Sequence, residues 1–147
     1  RPVGWFSGRR SVNTRRLVIE EGGFLYDSDG YSDDLPYWNT DYGRPHLVVP
    51  YSRNNNDLRF ATGGVYTAGD FFAYLRDSFD NLYEEGAEHP KMMSIGLHNR
   101  IIGRPGRAGA IVKFLDHAAK HDGVWFARRR DIAAHWHARH PYEAFAS

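Results

Sequence analysis

The chain has 147 residues with 41% hydrophobic and 25% charged side chains, a formal net charge of +1 and no cysteine. Length and composition suit one globular domain, residues 1–147, able to bury a core. The near-neutral charge makes no case for nucleic acid or an anionic membrane as partner, and the missing cysteines exclude disulfides, thiolate nucleophiles and cysteine metal sites. No run approaches the roughly 18 apolar residues of a spanning helix. The start Arg1-Pro2-Val3-Gly4-Trp5 lacks the regions of a signal peptide, so a cytoplasmic location is the default expectation. Without an initiator methionine, the chain is expected to begin inside a longer protein.

Taken in order, Gly4-Trp5-Phe6-Ser7-Gly8-Arg9-Arg10-Ser11 reads as a strand end, a loop and a helix start. Arg9 is either a surface charge or a forked donor aimed at a carboxylate or polarised carbonyl. A short helix is expected over residues 14–20, capped by Asn13 or Ser11. The stretch from Gly22 to Gly43 is too long and too polar for a simple connection, and long structured loops are often functional. It interleaves Asp27, Asp29, Asp33 and Asp34 with Tyr26, Tyr31, Tyr37 and Trp38. One reading is a turn-rich surface loop whose aspartates satisfy local backbone amides. The other is a ligand site, with aromatic walls and one carboxylate orienting a catalytic imidazole.

Strands are expected at 46–50, 92–97 and 123–127, with His46 structural. Between the first two, Phe71, Phe72, Leu75, Phe79, Leu82 and Tyr83 recur at helical spacing and predict a helix over 68–85 ended by Gly86. Further helices are expected over 106–120 and 130–139. The alternation of strands and helices is the pattern of an α/β fold with mostly parallel strands. The run Met92-Met93-Ser94-Ile95-Gly96-Leu97 ends in His98 and is followed by a basic, glycine-punctuated loop. Ligands in parallel α/β folds bind at such strand ends, which makes His98 the leading candidate for chemistry.

Other histidines read as structural. His135, His137 and His140 suit a solvated helix end, and His117 with His121 suit dipole compensation near a helix C-terminus. Residues 103–109 lack the lysine and hydroxyl of a phosphate loop, the acidic loop lacks EF-hand spacing, and no nucleophile elbow is present.

In order, Gly4-Trp5-Phe6-Ser7-Gly8-Arg9, Gly23-Phe24-Leu25-Tyr26-Asp27-Ser28-Asp29, Asp33-Asp34-Leu35-Pro36-Tyr37-Trp38, Ser94-Ile95-Gly96-Leu97-His98, Ile102-Gly103-Arg104-Pro105-Gly106-Arg107 and Val124-Trp125-Phe126-Ala127 resemble the later motifs of the polysaccharide deacetylase superfamily. Asn13-Thr14-Arg15-Arg16, Asp57-Leu58-Arg59-Phe60 and the Phe71-Phe72 helix are similar to segments of its cofactor-independent allantoinase branch. The resemblance implies the second half of a distorted (β/α) barrel that hydrolyses a carbon–nitrogen amide bond. It casts His98 as the acid that protonates the departing nitrogen and places the orienting carboxylate at Asp27, Asp33 or Asp34. Arg9 would position the catalytic carboxylate of the first half, and Trp5, Tyr37 and Trp38 would wall the pocket.

The resemblance also puts the base and any metal ligands in earlier motifs, an acidic pair at a strand end and a later His-x-x-x-His, which this chain is expected to lack. No cofactor is expected in this chain, with zinc bound only if a first half carries Asp and His ligands. The expected partners are an N-terminal half of the same enzyme and a substrate that is a small ureide or, alternatively, an N-acetyl sugar of chitin or peptidoglycan. Half a barrel leaves sheet edges unpaired, which favours a homo-oligomer. A contrasting reading is a non-catalytic binding domain with the same fold.

Overall fold

The computed structural model describes residues 1–144. Its elements are β1 (Gly4–Trp5), α1 (Thr14–Glu21), β2 (Tyr26–Asp27), β3 (Tyr37–Asn39), β4 (His46–Val48), α2 (Arg59–Thr62), α3 (Ala68–Glu85), α4 (Asn99–Ile102), α5 (Pro105–Ala118) and α6 (Arg129–Arg139), with a 3-10 turn at Tyr142–Ala144. They form two compact units, one of Arg1–Tyr51 with the segment from Phe126, the other Ser52–Trp125.

The first unit holds the sheet, in the order β1-β2-β4-β3. The β1–β2 and β2–β4 pairs are parallel and β3–β4 antiparallel, giving the mixed, mostly parallel α/β arrangement that the sequence pattern predicts. β4 is an inner strand, and its Leu47 and Val48, with Val49 directly after it, are wholly buried. β1 and β2 pack closely at Gly4, where an added Cβ would lie within 2.5 Å of the Tyr26 ring. The Gly22 to Gly43 stretch is therefore more than a loop, since it contributes β2 and β3. Helix α1 ends at Gly22 with φ of 79°, a left-handed conformation open to glycine. At its start Asn13 makes no side-chain cap; Ser11 closes the turn instead, through its carbonyl with the Thr14 amide and its own amide with Thr14 Oγ1.

The second unit is built on α3 and α5. Phe71, Leu75 and Phe79 of α3 meet Ala110, Phe114 and Ala118 of α5 in one buried cluster with Val65 and Ile102. Helix α3 has the predicted bounds because both ends are specified. Thr67 and Asp70 form a reciprocal capping box at the start, and Gly86 caps the end in right-handed geometry.

Two expected strands do not form. Residues 92–97 make only an isolated parallel bridge, Asn56 with Gly96, although Met93 and Ile95 still pack against the core. Asn56 Oδ1 accepts the Leu58 amide, turning the neighbouring backbone away before a ladder can extend. Residues 123–127 form no strand, and Trp125 and Phe126 remain exposed. An apolar run becomes a strand only where a neighbour accepts its hydrogen bonds.

Leu75→Ala is expected to cost about 2–5 kcal/mol, read as a lowered urea midpoint, because it empties a fully buried site. Val112→Ala on the exposed face of α5 should stay within about 0.5 kcal/mol of the native protein.

Candidate active site

His98 sits at the N-cap of α4 in an extended conformation. Its Nδ1 lies 2.6 Å from Asp57 Oδ1. The second oxygen of Asp57 accepts the His98 amide at 2.7 Å and the Ile102 amide at 3.2 Å. Asp57 is itself fully buried and its backbone is fastened, with its amide donating to the Gly96 carbonyl at 3.0 Å. A buried carboxylate needs donors at both oxygens, and here the imidazole and the start of α4 supply them. The His98 side chain keeps 31% of its surface exposed. With Nδ1–H donated to Asp57, Nε2 is the nitrogen left to exchange protons, the arrangement of an oriented general acid or base.

The carboxylate on His98 is thus Asp57, and this corrects the expectation that Asp27, Asp33 or Asp34 orients it. Asp33 Oδ1 accepts the Asp34 and Leu35 amides at 2.7 and 3.1 Å, and both aspartates are exposed, so this part of the loop follows the turn-forming reading. Asp27 is committed elsewhere. Arg15 donates to both its oxygens, from Nε at 2.8 Å and Nη2 at 3.0 Å, and the Asp29 amide donates at 2.9 Å. His46 Nε2 stands 3.2 Å from Asp27 Oδ2. Burial works to raise the Asp27 pKa, but His46, Arg15 and the Asp29 amide outweigh it and hold it at about 2, below the ordinary 3.8.

Asp29 anchors the loop after β1, accepting the Ser7 hydroxyl at 2.6 Å and the Gly8 amide at 2.9 Å. Arg9 follows directly and is exposed; the arginine on a buried carboxylate in this unit is Arg15. Trp5 is 40% exposed and edge-on to Phe24. The Tyr37 hydroxyl accepts from Ser32 Oγ at 2.9 Å. Trp38 donates its indole N–H to the His140 carbonyl at 2.8 Å and stands edge-on to His137, so it fastens the end of α6 to β3. Arg129 at the start of α6 donates to the Val49 and Pro50 carbonyls at 3.1 and 2.9 Å, holding the end of β4.

Sequence reasoning missed Asp57, Arg15 and Arg129. Asp57 lies in the Asp57-Leu58-Arg59-Phe60 segment and Arg15 in Asn13-Thr14-Arg15-Arg16, both quoted for the resemblance but without a role. Arg129 carried no motif. The structure also gives His117 and His121, read as a helix-end pair, a third neighbour. With Asp80 they form a group of donor atoms within 4.8 Å of one another.

The first unit is a mostly parallel α/β sheet, and the second seats a partly exposed histidine on a buried carboxylate, a pairing suited to proton transfer. No family model matches the chain. It is 45% identical to a Schizosaccharomyces pombe protein named "putative polysaccharide deacetylase", over 97% of this chain and 50% of that protein. The crystal structure of a "probable polysaccharide deacetylase" from Pseudomonas aeruginosa PAO1 matches with TM-score 0.91 and 60% identity, over 96% of this chain and 48% of that one. The crystal structure of PuuE allantoinase matches with TM-score 0.91 and 61% identity, over 97% of this chain and 48% of that one. The chain is homologous to polysaccharide deacetylases and to PuuE allantoinase and matches the C-terminal half of their (β/α) barrel. It spans about half the length of the relatives it matches.

Because Asp27 is held at about 2, its contribution to stability is complete above the unfolded value near 3.8 and is lost as pH falls through about 2. Asp27→Asn should cost about 3–5 kcal/mol at neutral pH by leaving Arg15 buried without its partner. The stability gap between native and variant protein, measured by denaturant titration, should narrow between about pH 4 and pH 2.

Proposed function

We propose that this chain supplies the proton donor of an amide hydrolase that opens the ring amide of a small ureide, working with an N-terminal half that carries the base. The observation behind this reading is the His98–Asp57 pair, a partly exposed imidazole held at 2.6 Å by a wholly buried carboxylate. In hydrolysis, water adds to the amide carbon and gives a tetrahedral intermediate. The carbon–nitrogen bond then breaks, its electron pair goes to nitrogen, and the proton from His98 Nε2 makes that nitrogen a neutral leaving group. Asp57 fixes the ring and stabilises the imidazolium before transfer. The 61% identity to a solved allantoinase supports the ureide as substrate class.

The alternative substrate is an N-acetyl sugar, supported by the 60% identity to the Pseudomonas aeruginosa protein. Around His98 the chain offers one imidazole and one carboxylate already bonded to each other, which does not make a metal centre. A metal-dependent deacetylase would therefore draw its ligands from the N-terminal half, and the role of His98 as leaving-group acid would be unchanged.

In the full-length protein, His98→Ala is expected to lower kcat on the order of 10²- to 10⁴-fold. Asp57→Asn, checked for folding by circular dichroism, should fall in a similar range through the wrong tautomer. Allantoin hydrolysis without added metal supports the ureide reading, whereas metal-dependent acetate release from chitin or peptidoglycan fragments replaces it with deacetylation. Full hydrolytic activity in His98→Ala would leave only a non-catalytic role for this half.

A further inference from the structure

Helices α3 and α5 carry a second group of ionisable side chains that hydrolysis does not use. Asp80 comes from α3, His117 from the last turn of α5, and His121 from the turn that follows it. One donor atom from each lies within 4.8 Å of the others. His117 Nε2 is 2.6 Å from Asp80 Oδ1. His121 Nδ1 donates to the His117 carbonyl at 3.1 Å, which leaves its Nε2 with the free lone pair. Phe79 of α3 lies edge-on to both imidazoles at 5.7 and 5.0 Å, and Tyr83 flanks His121 at 4.8 Å. Asp80 and His117 keep 42% and 25% of their side-chain surface exposed, so an ion from solvent can reach them.

A charge pair near a helix C-terminus accounts for His117 and Asp80 but not for His121. The His121 ring is held in place by a backbone carbonyl, the outer-shell contact that histidine ligands of metals usually make. We propose that Asp80, His117 and His121 form a binding site for a divalent transition metal of the zinc type, clamping α3 to α5. Two imidazoles and one carboxylate suit zinc, whereas magnesium and calcium prefer oxygen alone. Zinc–ligand bonds of about 2.0–2.2 Å in tetrahedral geometry put the ligand atoms about 3.4 Å apart, so small side-chain rotations close the group and water fills the fourth position. The site shares no residue with the Asp57–His98 pair.

The test is titration of chelator-stripped, full-length protein with Zn²⁺ by calorimetry and with Co²⁺ by visible absorption, each variant's fold being checked without metal by circular dichroism. The native protein should take up one equivalent more than a His117→Ala/His121→Ala double variant. That equivalent should raise the thermal midpoint and give the absorption bands of tetrahedral cobalt. Asp80→Asn and His121→Gln, milder changes that keep the packing, should each weaken zinc binding about tenfold or more. His135→Ala/His140→Ala should leave it unchanged. Equal uptake by native protein and the His117/His121 double variant, or an equivalent lost on changing His135 and His140, would overturn the assignment.

Discussion

The second unit is organised around one buried charge. Asp57 has no exposed surface, and a carboxylate in that position is tolerable only when donors converge on both oxygens. The His98 ring, the His98 amide and the Ile102 amide do so together, so the orientation of the imidazole and the start of α4 depend on the same group. Ile102 belongs to the cluster that joins α3 and α5, which ties the Asp57–His98 pair to the apolar core. The geometry of the pair is therefore a consequence of packing.

The same device recurs in the sheet. Asp27 at the end of β2 is neutralised by Arg15 of α1, and Arg15 also donates to the Asp29 carbonyl at 3.3 Å. Asp29 in turn holds the loop that follows β1. Short strands of two or three residues have few ladder bonds of their own, and these charge-assisted hydrogen bonds fix where the chain leaves each strand. The carboxylates of the aromatic loop divide by burial. The buried pair, Asp27 and Asp29, organises strand ends, while Asp33 and Asp34 form a surface turn.

Much of the architecture was legible from periodicity. The apolar spacing of residues 71–83 defined α3, because a face of Phe71, Leu75 and Phe79 has no other way to be buried together. The segment preceding His98 was legible as an apolar run, but not that it would form a single bridge in place of a strand. His98 itself was found through its place after that run and through the order of motifs around it. Its partner was not, because Asp57 lies 41 positions away and nothing local marks an aspartate as buried. Nearer carboxylates in a conspicuous aromatic loop drew the assignment instead. The pair His117 and His121 looked complete as a helix-end feature, since Asp80 enters only when α3 lies against α5.

The sequence by itself determined the α/β alternation, the long amphipathic helices, the resemblance to polysaccharide deacetylases and the histidine expected to carry the chemistry. These depend on short-range pattern, on residue type and on the order of segments along the chain, all of which a linear string contains. Tertiary structure alone decided which carboxylate holds His98, which arginine is buried on Asp27, and that Asp80 joins two histidines. Each of those choices is set by which charge loses its water on folding and which donors stand close enough to replace it.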